Sequence, residues 1–208
     1  MDKKELLRLS NLLWDKSRNN YSKLYENEDS YKDIMDYRQL HSKVVADLAV
    51  NMFDTYYKHF YGKAEAYYKS SLYFACLIHD VRKIDKKHNF KGANFFFKHK
   101  NLVSSNLYDI ELVFNIVNFH SADKKGTDLE YINKIMNLND NVKLLILFTR
   151  LSDKLSKLVV KSKYKRISTE DVDDVLNKIN NNSKELFNSS TKQLIKDIEI
   201  EFKGKFCS

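Results

Sequence analysis

The feature that most limits the folds open to this chain is its lack of proline, combined with only four glycines in 208 residues. Proline and glycine supply the tight turns of hairpins and β-sandwiches, so their scarcity argues against an all-β fold. Asn, Asp and Ser also form turns and can connect long helices instead. The sequence therefore predicts an all-α protein.

Apolar residues recur at helical spacing along most of the chain. They predict helices over residues 3–19, 40–60, 65–84, 92–100, 107–120, 142–160, 168–179 and 184–202. Residues 27–33, NEDSYKD, are expected to break the pattern between the first two helices. Ser168, followed by Glu170 and Asp171, is a capping pattern that predicts where the seventh helix begins.

Composition and patterning predict one domain. Hydrophobic residues make up 43% of the chain, enough for a sizeable core, and no repeat or linker-like segment divides residues 1–208. No apolar run approaches the roughly 20 residues that a membrane helix needs. The N-terminal segment is charged and lacks the apolar central region of a signal peptide. Two cysteines, Cys76 and Cys207, do not suggest a disulfide framework. We expect a cytoplasmic protein with no membrane partner.

The formal net charge of +8 fits a nucleic-acid partner or an anionic substrate. Lysine is abundant throughout, however, and basic clusters such as residues 86–91 and 161–166 are typical of a solvated surface. Nucleic acid is therefore a partner that the sequence allows but does not favour.

Three of the six histidines occupy unusual positions: His41 begins an apolar stripe, whereas His79 and His120 each end one. Asp80 follows His79 directly, in the segment CLIHDVRK at 76–83. Burying several imidazoles and a carboxylate costs several kcal/mol each unless they are compensated, and a bound metal compensates them. The pattern therefore predicts a metal site.

Two further residues are expected to face the same site. Lys83 lies one helical turn beyond His79, where it can meet an anion bound to the metal. Asp153 falls on an apolar stripe of the helix predicted at 142–160 and is expected to point inward.

The ordered set of His41, the His79–Asp80 pair and a distant Asp153 resembles the HD superfamily of metal-dependent phosphohydrolases, all-α domains named for that pair. HDVRK resembles the family's recurrent His-Asp-x-x-Lys motif. The resemblance covers about residues 40–160, the expected HD core, and leaves 1–39 and 161–208 as helical extensions.

Three later segments resemble a subset of this superfamily that includes bacterial symmetrical diadenosine tetraphosphate hydrolases. They are HNFKGANFF at 88–96, with its His-x-x-x-Gly-Ala pattern, IVNFHS at 116–121 and LSDKL at 151–155. In that subset, the histidines that match His88 and His120 help to bind a second metal. His59 and His99 match no motif and are expected at the surface, with His99 as the alternative ligand if His88 points away.

The resemblance implies one ion held by four side chains: His41, His79, Asp80 and Asp153. Asp80 would bridge to a second ion held by His88 and His120. Mixed imidazole and carboxylate ligands suit iron, manganese, cobalt, nickel or zinc, and the sequence does not choose among them. The long separation of His41 from His79 departs from the family pattern. Two branches of the superfamily are disfavoured. The guanosine tetraphosphate hydrolases carry an acidic pair soon after the His-Asp pair, which is absent here, and the Gly-Tyr-Pro signature of the cyclic-di-guanylate phosphodiesterases requires proline, which the chain lacks.

We therefore expect an enzyme that cleaves a phosphoester or phosphoanhydride bond of a small nucleotide by means of a metal-bound hydroxide. Lys83 and Arg82 are expected to stabilise charge on the phosphate oxygens, with Asp80 and Lys83 as the catalytic residues.

Two alternatives remain open. The first is a metal-dependent nuclease or phosphodiesterase acting on single-stranded nucleic acid, in which tyrosines such as Tyr56 and Tyr67 would stack on bases. The second is a non-catalytic nucleotide sensor, in which the helical ends would form a homodimer interface.

Overall fold

The structure is a computed structural model, and it describes residues 1–23, 28–56, 65–121, 129–161, 167–183, 186 and 189–207. The protein is all-α, as predicted, and the described residues contain no strand. The helices are α1 (Lys3–Ser22), α2 (Glu28–Tyr56), α3 (Glu65–Ile78), α4 (His88–Lys98), α5 (Ile110–Phe119), α6 (Leu129–Met136), α7 (Asp140–Lys161), α8 (Thr169–Asn182) and α9 (Ser189–Phe206). A short 3₁₀ helix, Lys100–Leu102, follows α4. None of the described helices is both long and apolar enough to cross a membrane.

Several helix boundaries differ from the prediction. A break between helices was predicted at 27–33, but α2 begins at Glu28, so the prediction is wrong for residues 28–33. Residue 27 lies outside the described residues. This stretch contains no proline or glycine, and Met35 is buried in the core, so packing extends the helix. The predicted residues 57–60 lie outside the described part of the chain.

The predicted helix 65–84 is too long. Helix α3 ends at Ile78, and a series of tight turns follows, in which Lys83 N–H donates to the Asp80 carbonyl at 2.8 Å. Lys87 adopts a left-handed conformation with φ of 55°, and α4 begins directly afterwards at His88, four residues earlier than predicted. His79, Asp80 and His88 consequently belong to one compact connection between two helices.

Helix α3 is the centre of the molecule. Its residues from Leu72 to Ile78 are all buried, as the apolar pattern indicated, and α1, α2, α5 and α7 all pack against it. Helix α4 packs on α5, and buried Gly92 lies at this crossing, close to Val117 and the His79 carbonyl. Three of the predicted ligands, His41, His120 and Asp153, therefore come from helices that pack against α3 or from their ends.

The chain ends outside residues 40–160 share this hydrophobic core. Leu6, Leu13 and Trp14 of α1 are buried in it, and so are Leu176 of α8 and Ile198 of α9. Ser168 caps α8 as predicted, since its side chain accepts a hydrogen bond from the Asp171 N–H. The helical extensions are thus continuous with the core by packing.

Helix α1 also binds the backbone at the end of α3 and in the turn that follows. Trp14 Nε1 donates to the Leu77 carbonyl at 3.0 Å, Ser17 Oγ to the Val81 carbonyl at 2.7 Å, and Tyr21 OH to the Asp80 carbonyl at 3.3 Å. Carbonyls at the end of a helix lack intrahelical partners, and these side chains supply them. One face of α1 therefore fixes the turn that carries the His79–Asp80 pair.

Candidate metal centre

Six buried or half-buried side chains converge at the end of α3, and they are called the cage below. His41 comes from the middle of α2, His79 and Asp80 from the turn after α3, and Asp153 from α7. His88 begins α4, and His120 follows the last residue of α5. The six residues predicted as metal ligands thus come together from five parts of the fold.

The first half of the cage contains His41, His79, Asp80 and Asp153. His41 Nε2 lies 3.0 Å from Asp153 Oδ1 and 4.0 Å from Asp80 Oδ2. His79 Nε2 lies 3.6 Å from Asp80 Oδ1 and 3.7 Å from Asp153 Oδ1. Donor atoms of His41, His79 and Asp80 are all within 4.8 Å of one another, which is close enough to share one ion.

The second half contains Asp80, His88 and His120. Both His88 Nε2 and His120 Nε2 lie 3.8 Å from Asp80 Oδ1. These three donor atoms also lie within 4.8 Å of one another. Asp80 belongs to both halves, so its two carboxylate oxygens could bridge two ions.

Two imidazole nitrogens in the cage are buried without a hydrogen-bond partner among the described residues. They are Nε2 of His79 and Nε2 of His120. In each ring the other nitrogen, Nδ1, donates to a backbone carbonyl one turn earlier: Cys76 at 2.7 Å and Val117 at 2.6 Å. This fixes the tautomer of the neutral ring, in which Nε2 has a free lone pair facing Asp80.

His41 has a comparable arrangement through Ser156. The Ser156 hydroxyl lies 3.3 Å from His41 Nδ1, so it can accept a hydrogen bond when the proton is on that nitrogen. His41 Nε2 would then be free to act as a ligand. Metal-binding histidines generally donate their second N–H in this way, which orients the ring and increases its basicity.

The ionisation states of His88, His120 and Asp80 also suit a bound cation. Burial lowers the pKa of His88 to about 4, assisted by the Lys83 charge, and burial with the neighbouring His79 and His88 charges lowers the pKa of His120 well below its usual range. Burial would raise the pKa of Asp80, but the charges of His79 and Lys83 outweigh it and hold this pKa below its usual value. Neutral imidazoles and an ionised carboxylate are the forms that bind metals. Burial lowers the pKa of His79, but the charges of Asp80 and Asp153 outweigh it and raise this pKa, so His79 must release a proton when a cation binds.

Lys83 enters the cage itself. Its Nζ lies 3.0 Å from Asp80 Oδ1 and 3.1 Å from His88 Nε2, so the ammonium group stands between two ligands of the second half. This contact with the carboxylate agrees with the predicted position of Lys83 beside His79.

Three cationic residues near the two carboxylates were not predicted. Arg38 lies 3.5 Å from Asp80 Oδ2, and Lys154 and Lys157 each lie 3.4 Å from Asp153 Oδ2. All three are partly or largely exposed. The predicted start of α2 at residue 40 left Arg38 outside the helix, although it lies one turn before His41 and would otherwise share its face.

The structure does not bring every predicted residue to the cage. Arg82 pairs with Asp85 at 2.5 Å and its guanidinium lies over the Phe95 ring. His99 Nδ1 donates to the Phe95 carbonyl at the opposite end of α4 from His88, so His99 is not needed as the alternative ligand. His59 lies outside the described residues.

The buried donor set fits a divalent cation in chemical terms: two carboxylates, four imidazoles and two unpartnered lone pairs directed at a shared oxygen. These ligands suit several transition metals, so their identity does not select one. No protein-family model matches the chain, and no curated protein or solved structure matches it.

Proposed function

We propose that this protein is a metal-dependent phosphohydrolase of the HD type, which cleaves a phosphoester or phosphoanhydride bond of a small nucleotide. The observation that carries the proposal is the pair of buried, unpartnered Nε2 atoms of His79 and His120, each 3.6–3.8 Å from the Asp80 carboxylate. Leaving buried nitrogens unpaired costs about 1–3 kcal/mol each, which a bound cation would recover.

His41, His79, Asp80 and Asp153 would hold one ion, and Asp80, His88 and His120 a second. A bound divalent cation neutralises phosphate charge and lowers the pKa of water from about 16 towards 7. The chain's own contribution is to hold the ligands rigidly, since the backbone and Ser156 bind the second nitrogen of three of the histidines.

The cationic residues around the cage support an anionic substrate. Asp80 is fully buried, whereas the side chains of Lys83 and Arg38 beside it are 25% and 28% exposed. These two cations therefore stand between the buried ligands and solvent, where a phosphate would approach. We assign them to the binding of phosphate oxygens and to stabilising the charge that develops there.

The nucleic-acid alternative receives less support from the tyrosines. Tyr56 is buried and its hydroxyl binds Glu201 at 3.2 Å, so it is not available for base stacking. Tyr67 is 47% exposed, but a single exposed tyrosine ring does not by itself indicate a nucleic-acid site.

The test compares Asp80→Asn with the wild-type protein. Because Asp80 contributes to both halves of the cage, we expect the variant to lose bound metal and to release phosphate from nucleotides at less than a hundredth of the wild-type rate. Metal content is measured by elemental analysis and turnover by phosphate release over a panel of nucleotides. The matched control is Asp47→Asn, an exposed aspartate on α2 that pairs with Lys3.

Full turnover by Asp80→Asn would contradict the proposal. Metal and nucleotide binding by the wild-type protein without turnover would favour the sensor alternative instead.

A further inference from the structure

A cavity of about 350 Å³ adjoins the cage on the side of α8. Its wall includes His120 of the cage, Lys154 of α7, and Val175, Lys178 and Ile179 of α8. A volume of this size lies within the range of small-molecule sites. The cavity lies between residues of the expected HD core and α8, to which the HD resemblance does not extend.

One residue of the cage, His120, also lines the cavity. Lys154, which pairs with Asp153 of the cage at 3.4 Å, lines it as well. A molecule that reacts at the cage could therefore extend into the cavity without leaving the surface of the protein.

The charged residues that line the cavity are basic. Arg150, Lys154 and Lys178 line it, and none of the described lining residues is acidic. The Arg150 guanidinium is committed to the Phe119 carbonyl at 3.0 Å and the Ser183 hydroxyl at 2.8 Å. Lys178 is exposed and forms no ion pair within the described part of the chain, so its charge is available to an anion.

Another part of the wall is apolar. Val175 and Ile179 lie one turn apart on α8 and both face the cavity. A site that combines lysines with a short aliphatic surface suits a ligand with anionic and flat apolar parts. A nucleoside phosphate has both.

We infer that this cavity binds the nucleoside phosphate portion of the substrate that lies beyond the scissile bond. Lys154 and Lys178 bind its phosphate oxygens, and Val175 and Ile179 contact the base or sugar. The inference deepens the proposed function and rests on it for the placement of the scissile bond at the cage. It makes α8 the element that determines substrate specificity.

The test measures the affinity of the full-length protein for α,β-methylene-ADP, whose bridging carbon resists hydrolysis, by isothermal titration calorimetry. Lys178→Gln is expected to weaken binding about tenfold, and Val175→Phe, which fills the cavity without changing charge, to weaken it by at least as much. Lys134→Gln, an exposed lysine on α6 paired with Glu130, is the matched control and should bind as the wild-type protein does. Circular dichroism melts confirm that each variant is folded.

Two further ligands separate the contribution of Lys178 to binding from that of the apolar surface. Pyrophosphate should lose affinity in Lys178→Gln but less in Val175→Phe, whereas adenosine should show the reverse. Equal affinity of Lys178→Gln and the control for α,β-methylene-ADP would overturn the inference, and so would a failure of the wild-type protein to bind it. Lys178-dependent binding without any nucleotide hydrolysis would instead support the cavity and refute the proposed catalysis.

Discussion

His79 and His120 each use one ring nitrogen to bind the backbone and direct the other at Asp80. A histidine that served only to pack would satisfy both nitrogens or expose one to solvent, because an unpaired buried nitrogen is costly. The ligands are therefore preorganised, and the metal would meet rings that are already oriented.

Lys83 would compete with the proposed second ion. Its ammonium lies 3.0 Å from Asp80 Oδ1 and 3.1 Å from His88 Nε2, so a cation bound there must displace it against charge repulsion. We expect Lys83→Met to tighten binding of the second ion about tenfold while lowering turnover at least tenfold, since the phosphate loses a cationic partner. Calorimetric titration with Mn²⁺ and phosphate-release rates measure the two effects.

The control is Lys91→Met, since Lys91 pairs with Asp85 outside the cage. An unchanged affinity for the second ion in Lys83→Met would show that Lys83 does not occupy that position.

The cage residues could be predicted because each one has a local signal, either its place on an apolar stripe or its match to a motif. Arg38 and Ser156 match no motif, and they were not predicted. The contact of Arg38 with Asp80 spans 42 residues, and that of Ser156 with His41 spans 115. Only the packing of α2 against α3 and α7 creates these contacts, and single-sequence periodicity does not encode which helices are neighbours.

Helix α1 supports the proposed metal site through hydrogen bonds to the backbone near Asp80. Ser17 binds the Val81 carbonyl at 2.7 Å and so fixes the turn next to Asp80. Ser17→Ala should lower the free energy of unfolding by about 1 kcal/mol. It should also weaken metal binding severalfold, because the turn that carries His79 and Asp80 loses one of its supports.

Ser22→Ala is the matched control, since Ser22 is an exposed serine on the same helix and binds only the Asn19 carbonyl. Urea unfolding and metal titration of both variants measure the two quantities. Equal effects of the two substitutions on metal affinity would contradict a supporting role for α1.

The sequence predicts helices well where they are long and their apolar stripes continuous, as in α1 and α7. It does not predict α6, Leu129–Met136, in which only Ile135 is buried, because the stripe is too short to recognise. The predicted end of α3 is too late because Val81 resumes the apolar pattern after His79 and Asp80, and Val81 is buried although it lies in the turn. The turn is stabilised by α1, which the local pattern cannot indicate.

The whole molecule has one hydrophobic core to which the described helices from α1 to α9 contribute. Trp14, the single tryptophan of the chain, is 1% exposed and lies in α1, far in sequence from the expected HD core at 40–160. If α1 is part of this core, it unfolds together with the other helices. We expect urea transitions measured by Trp14 fluorescence and by far-ultraviolet circular dichroism to have the same midpoint.

An earlier fluorescence transition, with most helicity retained, would show instead that α1 detaches independently. The comparison needs no substitution, because the tryptophan already reports on the N-terminal helix alone.

Crystals grown with Zn²⁺ would show by anomalous diffraction at the zinc edge whether the cage holds divalent cations. We expect a peak about 2.0–2.2 Å from Nε2 of His41 and His79 and from the carboxylates of Asp80 and Asp153. At higher Zn²⁺, a second peak should appear beside His88 and His120. A map with zinc only at surface sites, and none among these six side chains, would show that the cage does not bind divalent cations.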